Sequence, residues 1–336
     1  MLSFDAGPVL LQSGARHPGA RLAYTTWGRL DDRRSNAVLL CTPFGAQHPE
    51  LEWIVQPDGL LDANRYFVIV PNLFGNGLSS SPVEQGGRAE AWSDFTIHDN
   101  CAIQHRLVTE VLGIERLALV WGWSMGGQQA YEWGAAYPEM VERIAVLCGS
   151  ARTAPHNHVF LEGVKTALQH DPEVARGIEG PAHDRAMRAV GRIYAGWALS
   201  QAFYRQEVWR TLGFATLEDF LVGYWEAGFL KRNAANLLAH IATWQKADIS
   251  ANARYRGDFG AALSSISARA LVMPATTDLY FPPEDNALEV ERMPHARLLP
   301  IPSVWGHRAG MPVKAPQERA FIRAALAELL AQPPIR

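Results

Sequence analysis

A serine flanked by glycines, set between an apolar run and a helix-like stretch, constrains this chain more than any other feature. The segment is Gly122-Trp123-Ser124-Met125-Gly126-Gly127, and it follows the apolar residues 117–121. Strand, Gly-x-Ser-x-Gly and helix in this order are typical of a nucleophile elbow, a turn so tight that the residues flanking the serine must be small. The following helix directs its free N–H groups at the place where an oxyanion would form. The pattern predicts a nucleophilic Ser124; a strand-to-helix turn without chemistry is the alternative.

A nucleophilic serine requires a base and an acid that orients this base. In chains with such an elbow the acid and then the histidine follow the serine, each after a later strand. Asp278 follows the apolar run 270–275, and His307 follows the run 296–301 in a glycine-flanked loop. Glu284 and Asp285 compete as the acid, but they follow two prolines and are typical of a first helical turn. We therefore predict that His307 takes the Ser124 proton and that Asp278 orients His307.

Strand-like and helix-like segments alternate along most of the chain. This alternation predicts a mostly parallel sheet with helices on both faces. Thr96 and Asp99, three residues later, form a capping-box-like start to the helical residues 97–112, and residues 315–331 are amphipathic. The predicted strands are residues 21–26, 37–42, 66–71, 117–121, 144–148, 270–274 and 297–301.

The strand pattern stops between residue 152 and about residue 260. Aromatic-rich helical segments replace it, at residues 158–170, 185–197, 217–229 and 231–246. We predict a core formed by residues 1–151 and 261–336, with residues 152–260 inserted as a helical lid over the serine. This lid carries more large apolar side chains than one core contact should absorb, which predicts a homodimer formed through it. They are Trp197, Phe203, Tyr204, Trp209, Phe220, Tyr224, Trp225, Phe229 and Trp244.

Composition and charge exclude several other classes of protein. A net charge of −3 gives no electrostatic attraction to nucleic acid or to an anionic membrane. No run of about 18 apolar residues is present, so no membrane-spanning helix is expected. The three cysteines lie in apolar runs or a helix-like segment, and no signal-peptide pattern is seen at the N-terminus, so a cytoplasmic protein is expected.

His156 and His158 lack partners at metal-ligand spacing, and Gly75-Asn76-Gly77 lacks the third glycine of a dinucleotide site. Neither a metal nor a cofactor is expected.

With these residues in place, the chain resembles the homoserine O-acetyltransferase family of α/β-hydrolases along nearly its whole length. The resemblance implies an α/β-hydrolase core, a helical lid often used for dimerisation, and a Ser124–His307–Asp278 triad that passes through an acyl-enzyme. The matching segments are residues 22–28, 36–40, 70–72, 95–100, 124–128, 137–138, 278–283 and 306–307.

The chain departs from this family at the positions that hold homoserine. Family members follow the catalytic histidine with an aspartate that helps to bind the homoserine amine, whereas this chain has Arg308. The lid arginine that pairs with the homoserine carboxylate has its nearest match in residues 195–201, which contain none. The ammonium and the carboxylate of homoserine would therefore both lack a partner in this chain. The alternative for Arg308 is an outward-pointing surface residue. The chain therefore looks closer to an esterase-like branch, which shares the Gly-Trp-Ser-Met elbow and the loop at residues 76–82.

The resemblance also suggests the donors of an oxyanion hole. One is the backbone N–H of Met125, directly after the nucleophile. The second should lie in the loop at residues 42–45, where the family alignment falls on Pro43, which has no N–H. Phe44 is the nearest alternative.

The sequence thus predicts a serine esterase that hydrolyses small acetyl-type esters through acyl-Ser124. The alternative is an acyl-CoA-dependent O-acyltransferase that acts on a small alcohol; a non-catalytic binding protein would be expected to lack a triad member. Trp123, Tyr194, Trp197, Tyr224 and Trp305 are the candidates for an aromatic pocket, or else plain core residues.

Overall fold

The fold is built on an eight-stranded sheet, seen in a computed structural model that describes residues 1–85, 92–175 and 181–335. The order across this sheet is β1, β4, β6, β5, β7, β8, β9, β10, and a separate two-stranded sheet pairs β2 with β3. The strands are β1 Leu2–Asp5, β2 Val9–Leu10, β3 Arg16–His17, β4 Arg21–Trp27, β5 Ala37–Cys41, β6 Phe67–Pro71, β7 Leu119–Trp123, β8 Arg143–Leu147, β9 Arg269–Met273 and β10 Ala296–Leu298.

Six neighbouring strands run parallel, in the order β6, β5, β7, β8, β9 and β10. Beyond β6 the sheet continues with β4 and then β1, each paired antiparallel to its neighbour. Every residue of β5 and of β8 is buried, as expected for strands covered on both faces. The predicted sheet is confirmed. Its register places Cys41 of β5 opposite Gly122 of β7, so the loops that follow these two strands meet at one edge.

Two apolar clusters cover the opposite faces of the sheet, because successive strand residues point in opposite directions. Leu39 and Val120 belong to one cluster, while Leu40 and Trp121 belong to the other. The helices are α1 Ile97–Arg106, α2 Met125–Ala136, α3 Pro155–Gln169, α4 Pro172–Ala175, α5 Pro181–Ala198, α6 Gln201–Arg205, α7 Leu217–Phe220, α8 Ala227–Phe229, α9 Ala234–Gln245, α10 Phe259–Ser264, α11 Pro283–Val290 and α12 Pro316–Ala331. Within the described ranges, none of them is long and apolar enough to cross a membrane.

Helices α3 to α10 lie between β8 and β9, where the lid (residues 152–260) was predicted. Helix α10 crosses the predicted boundary at residue 260. Residues 176–180 of the predicted lid lie outside the described residues. The aromatic side chains of this segment pack mainly within the chain: Phe203, Trp209, Phe220, Trp225 and Trp244 are buried, and the other four of the nine are half-buried.

Some predicted element boundaries were wrong. Strand β7 extends to Trp123, since its pairing with β5 continues through Gly122, whereas the prediction ended at residue 121. The helix predicted at 97–112 begins with the expected Thr96–Asp99 capping box and finishes as a π-helical turn, Leu107–Val111. The short strands β1, β2 and β3 were not predicted, because two to four largely exposed residues carry no apolar period.

Candidate active site

Ser124 occupies a strained turn between β7 and α2. Its backbone has φ 60° and ψ −126°, outside the regions that a side chain ordinarily allows. A Cβ on Gly122 would lie 2.5 Å from the carbonyl carbon of Gly126, and one on Gly126 would lie 2.5 Å from the carbonyl oxygen of Cys41. Only glycine therefore permits this close approach of turn, helix and β5. The Ser124 hydroxyl makes no capping hydrogen bond to α2 and remains available.

His307 and Asp278 are brought together by the loops that follow β10 and β9. The Nδ1–H of His307 donates to Asp278 Oδ2 at 2.7 Å, and both side chains are buried. The other carboxylate oxygen, Oδ1, accepts from the N–H groups of Tyr280 at 3.1 Å and Phe281 at 3.0 Å. The carboxylate is thereby fixed on both oxygens, so it orients the imidazole ring and leaves Nε2 free of Asp278. Neither competing acid, Glu284 or Asp285, makes this contact; both begin α11, as predicted.

Aromatic rings hold the His307 imidazole from several sides. The ring centroids of Tyr280 and Trp123 lie 4.3 Å and 4.8 Å from that of His307. The indole N–H of Trp123 donates to the His307 carbonyl at 3.0 Å, which ties the histidine loop to the residue before the nucleophile. The preceding Gly306 has φ 57° and packs on the end of α5, where a Cβ would lie 2.9 Å from the Ala198 carbonyl oxygen. The histidine loop is therefore positioned partly by the helices of the predicted lid.

Ser124 and His307 open into the same cavity, whose volume is about 460 Å³. Of the predicted pocket residues, Trp123, Tyr194 and Tyr224 line it. The rest of the wall comes mainly from the loop after β5, from the residues around α8 and α9, and from the loops after β9 and β10. These lining residues include Pro43, Phe44, Gly45, Ala46, Trp225, Phe229, Leu237, Trp244, Tyr280 and Met311.

Two of the predicted pocket residues lie elsewhere. Trp197 and Trp305 are not among the described residues that line this cavity. Trp197 packs against Phe160, with centroids 5.2 Å apart, and Trp305 packs against Phe203 at 5.1 Å. The Trp197 contact lies within the lid segment, whereas the Trp305 contact joins the core to the lid. Sequence alone could not separate either kind of packing from the pocket wall.

The two predicted oxyanion donors are Met125, directly after Ser124, and Phe44, in the loop after β5. Met125 is the first residue of α2, so its N–H has no partner within the helix. Phe44 lines the cavity, and its N–H donates to no described residue, whereas that of Gly45 donates to His240 Nδ1 at 3.0 Å. Within this loop the geometry therefore favours Phe44 over Gly45 as a donor.

His240, on α9, was missed by the sequence analysis. Its Nδ1 accepts from Gly45 and its Nε2–H donates to the Phe74 carbonyl at 3.0 Å, so the ring joins two loops of the core to α9. Burial lowers the pKa of His240 to about 4, which keeps the ring neutral and able to accept. The one available signal was a single imidazole within an otherwise apolar helical stretch.

Three cationic side chains and one carboxylate also line the cavity. They are Lys231, Arg232, Arg308 and Glu50. Burial alone would raise the pKa of the Glu50 carboxyl. The hydrogen bond and charge of Arg232, with the Gln47 N–H and the charge of Arg308, together outweigh burial, so this pKa is lowered. Arg308 therefore faces the cavity and not the outside, which decides the alternative that the sequence left open.

Cys148 approaches Asp278 and His307 as well, and the three potential ligand atoms lie within 4.8 Å of one another. Burial raises the pKa of the Cys148 thiol well above its usual range, and the other two groups are bonded to each other. A protonated thiol is a poor metal ligand. The cluster is better explained as buried packing of Cys148 against the His307–Asp278 pair. The absence of a metal stays a prediction.

Comparisons with known proteins agree with this geometry. A family model described as the alpha/beta hydrolase fold matches residues 36–304. An ethyl acetate hydrolase of Pseudomonas veronii is 34% identical over 98% of this chain and 95% of that protein, and a homoserine O-acetyltransferase of Thermobifida fusca is 29% identical over 96% and 92%. The solved structure of the acetyl esterase MekB superposes with a TM-score of 0.93 at 33% identity, over 98% of this chain and 96% of that one. The chain belongs to the α/β-hydrolase family, within the group that holds both esterases and homoserine O-acetyltransferases.

Proposed function

We propose that this protein is a serine esterase that hydrolyses small esters of short acyl groups, with Ser124 as nucleophile, His307 as base and Asp278 as the orienting acid. The observation that carries the proposal is that His307, paired with the buried Asp278, lines the same cavity as the strained Ser124. A serine hydroxyl is a weak nucleophile until a base removes its proton, and a base fixed by a carboxylate on its far nitrogen is the recurring solution.

The reaction follows from these positions. His307 Nε2 takes the proton as Ser124 Oγ attacks the ester carbonyl, and the N–H groups of Met125 and Phe44 stabilise the resulting oxyanion. Collapse of this intermediate breaks the bond to the alcohol, which leaves with the proton from His307. Water then attacks acyl-Ser124 with His307 again as base, and the acid is released. Asp278 keeps the ring in the required tautomer throughout.

A small acyl group is supported by the cavity and by the relatives. A volume of about 460 Å³ lies at the lower end of small-molecule sites, and Tyr194, Phe229 and Trp244 give it an aromatic wall. The relatives are named for ethyl acetate and for acetyl esters. We therefore propose acetyl-type esters as the substrates.

The transferase alternative requires a site for the homoserine ammonium. Arg308 stands where the resemblance expects an aspartate, and its guanidinium faces the same cavity as Ser124. A fixed positive charge repels an ammonium group, so homoserine is expected to be a poor acceptor for the acyl group. Water then resolves the acyl-enzyme.

Hydrolysis of p-nitrophenyl esters of increasing acyl length tests the proposal. We expect activity on the acetyl ester and a gradual fall beyond butyryl, because each methylene in an apolar pocket changes the free energy by only about 1–3 kcal/mol. Homoserine should not accelerate release of p-nitrophenol. Formation of O-acetylhomoserine from acetyl-CoA at a comparable rate would instead show the transferase.

We also propose that residues 152–260 act as a lid and that the protein is a cytoplasmic homodimer formed through it. The lid role is supported by Tyr224, Phe229 and Leu237, which lie in this segment and line the cavity. The three cysteines are free and buried, in keeping with a reducing compartment. For the dimer, the exposed apolar side chains of Leu217 and Val222 are the supporting observation.

A further inference from the structure

Arg308 is one of the three cations that line the cavity shared by Ser124 and His307. It follows His307 in sequence, and its guanidinium carbon lies 5.1 Å from the centroid of the Trp123 ring, the residue before Ser124. Trp123 is itself fixed by its hydrogen bond to the His307 carbonyl. The guanidinium is thus held by stacking on a ring that itself packs against His307, in the cavity that Ser124 also lines.

This guanidinium lacks an acidic partner. Within the described part of the chain, its N–H groups make no hydrogen bond or ion pair, although the side chain is half-buried. Glu50 is the one described carboxylate of the cavity wall, and Arg232 holds it with two hydrogen bonds, one of them 2.7 Å between Nη1 and Oε1. Glu50 is therefore already hydrogen-bonded to another arginine, and Arg308 acts on it only through its charge.

The cavity is positive although the chain is negative. Among the described residues that line it, Lys231, Arg232 and Arg308 are balanced by one carboxylate, Glu50, whereas the whole chain has a net charge of −3. A concave site lined by one sign of charge concentrates ligands of the opposite sign. The planar guanidinium, with its row of N–H donors, suits a carboxylate better than a hydroxyl or an amine.

From these observations we infer that Arg308 forms an anion subsite, and that the protein prefers esters with a carboxylate a few bonds from the scissile carbonyl. The inference rests on the proposed esterase function and names its substrate class. The carboxylate can come from the acyl group, as in a hemiester of a short dicarboxylic acid, or from the alcohol, as in the acetyl ester of a hydroxy acid. The chemistry of recognition is the same in both cases.

Two pairs of esters with nearly the same shape test the inference and separate these sources. Monoethyl succinate against ethyl 4-methylpentanoate places the charge on the acyl side, and acetoxyacetate against isobutyl acetate places it on the alcohol side. For each pair the measurement is the ratio of kcat/KM, anionic over neutral, in wild type, Arg308→Met, Arg308→Lys and Arg323→Met. Arg323 is an exposed arginine of α12 that does not line the cavity, so its variant controls for the net charge of the protein.

We expect Arg308→Met to lower the ratio for at least one pair by on the order of 10- to 100-fold, the range for a hydrogen bond to a charged group. Arg308→Lys should lower it less, and Arg323→Met should leave it at the wild-type value. In wild type, added KCl should lower kcat/KM for that anionic ester and spare its neutral partner. The pair that responds identifies the side of the ester that carries the carboxylate.

Equal losses on both members of each pair in Arg308→Met would overturn the inference, since they indicate a purely structural role. A salt effect in wild type without a changed ratio would also overturn it, because the responsible charge would then lie elsewhere. If Arg308→Met does not fold, Arg308→Lys and the wild-type salt dependence still decide. Absence of hydrolysis by wild type of anionic and neutral esters alike would instead refute the proposed esterase, a result distinct from the failure of the subsite.

Discussion

Three side chains from three separate loops carry the proposed chemistry. Ser124 depends on a strained backbone, His307 on a carboxylate and a set of aromatic rings, and Asp278 on two backbone N–H groups. Each is fixed by contacts that do not involve substrate. Such preorganisation lets single substitutions affect turnover while the fold persists.

Replacement of Ser124 by alanine should abolish turnover. Serine and histidine act as a unit, so the expected loss in kcat is on the order of 10⁶-fold. The measurement is hydrolysis of p-nitrophenyl acetate, with circular dichroism to confirm the fold. A variant that kept a tenth of wild-type activity would remove Ser124 from the mechanism.

Asp278→Asn should reduce kcat by about 10⁴-fold. The asparagine oxygen can still accept from Tyr280 and Phe281, but its amide then presents N–H to His307 Nδ1 and imposes the wrong tautomer. The matched control is Asp285→Asn, in the first turn of α11, which should keep near-normal activity. The opposite pattern would transfer the acid role to Asp285.

At the scale of elements, the edge where β5 and β7 end is held from the lid side by α9. His240 on this helix accepts from Gly45 and donates to Phe74, so the loop that offers the Phe44 N–H is bound to α9 through one neutral ring. Protonation would remove the acceptor and place a buried charge beside the proposed oxyanion loop. The same contact therefore links the site to the acid stability of the protein.

We expect His240 to destabilise the protein in acid. Its pKa is near 6.5 in the unfolded chain and about 4 in the folded protein, so the unfolded state binds the proton first as pH falls through this window. Stability is then lost between about pH 6.5 and pH 4, by roughly 2.5 kcal/mol at pH 4.5 from this group.

Denaturant unfolding of His240→Gln at pH 7 and pH 4.5 tests this expectation. Glutamine can accept from Gly45 and donate to Phe74 but does not titrate, so the variant should lose less stability than wild type by about that amount. His295→Gln, at an exposed position, serves as the control and should lose as much stability between pH 7 and pH 4.5 as wild type does. The same loss in His240→Gln as in wild type would contradict the expectation.

For the whole molecule, the open question is its assembly. The aromatic residues behind the dimer prediction are buried or half-buried within the single chain, so they do not form the exposed patch that was expected. Leu217 and Val222, 44% and 41% exposed, are apolar side chains that remain on the lid segment. A dimer through this segment would have to cover them.

We expect light scattering at micromolar concentration to give the mass of a dimer, and the double variant Leu217→Glu, Val222→Glu to give that of a monomer. Charges placed in an apolar interface lack partners and oppose association. The control is Leu288→Glu, an exposed leucine of α11, which should leave the mass unchanged. A monomeric wild type would refute the homodimer.

Local signals in the sequence determined the elbow, the acid and base candidates and the mostly parallel sheet, because each depends on neighbouring residues or on the period of apolar side chains. Gly122 and Gly126 mark a turn that only small residues permit, and the buried runs of β5 and β8 mark strands covered on both faces. The tertiary structure alone decided that Arg308 faces the cavity, that Trp197 and Trp305 do not, and that His240 holds the loop after β5. These contacts join residues far apart in the chain, and an arginine, tryptophan or histidine has the same local pattern whether it faces a cavity, the core or solvent.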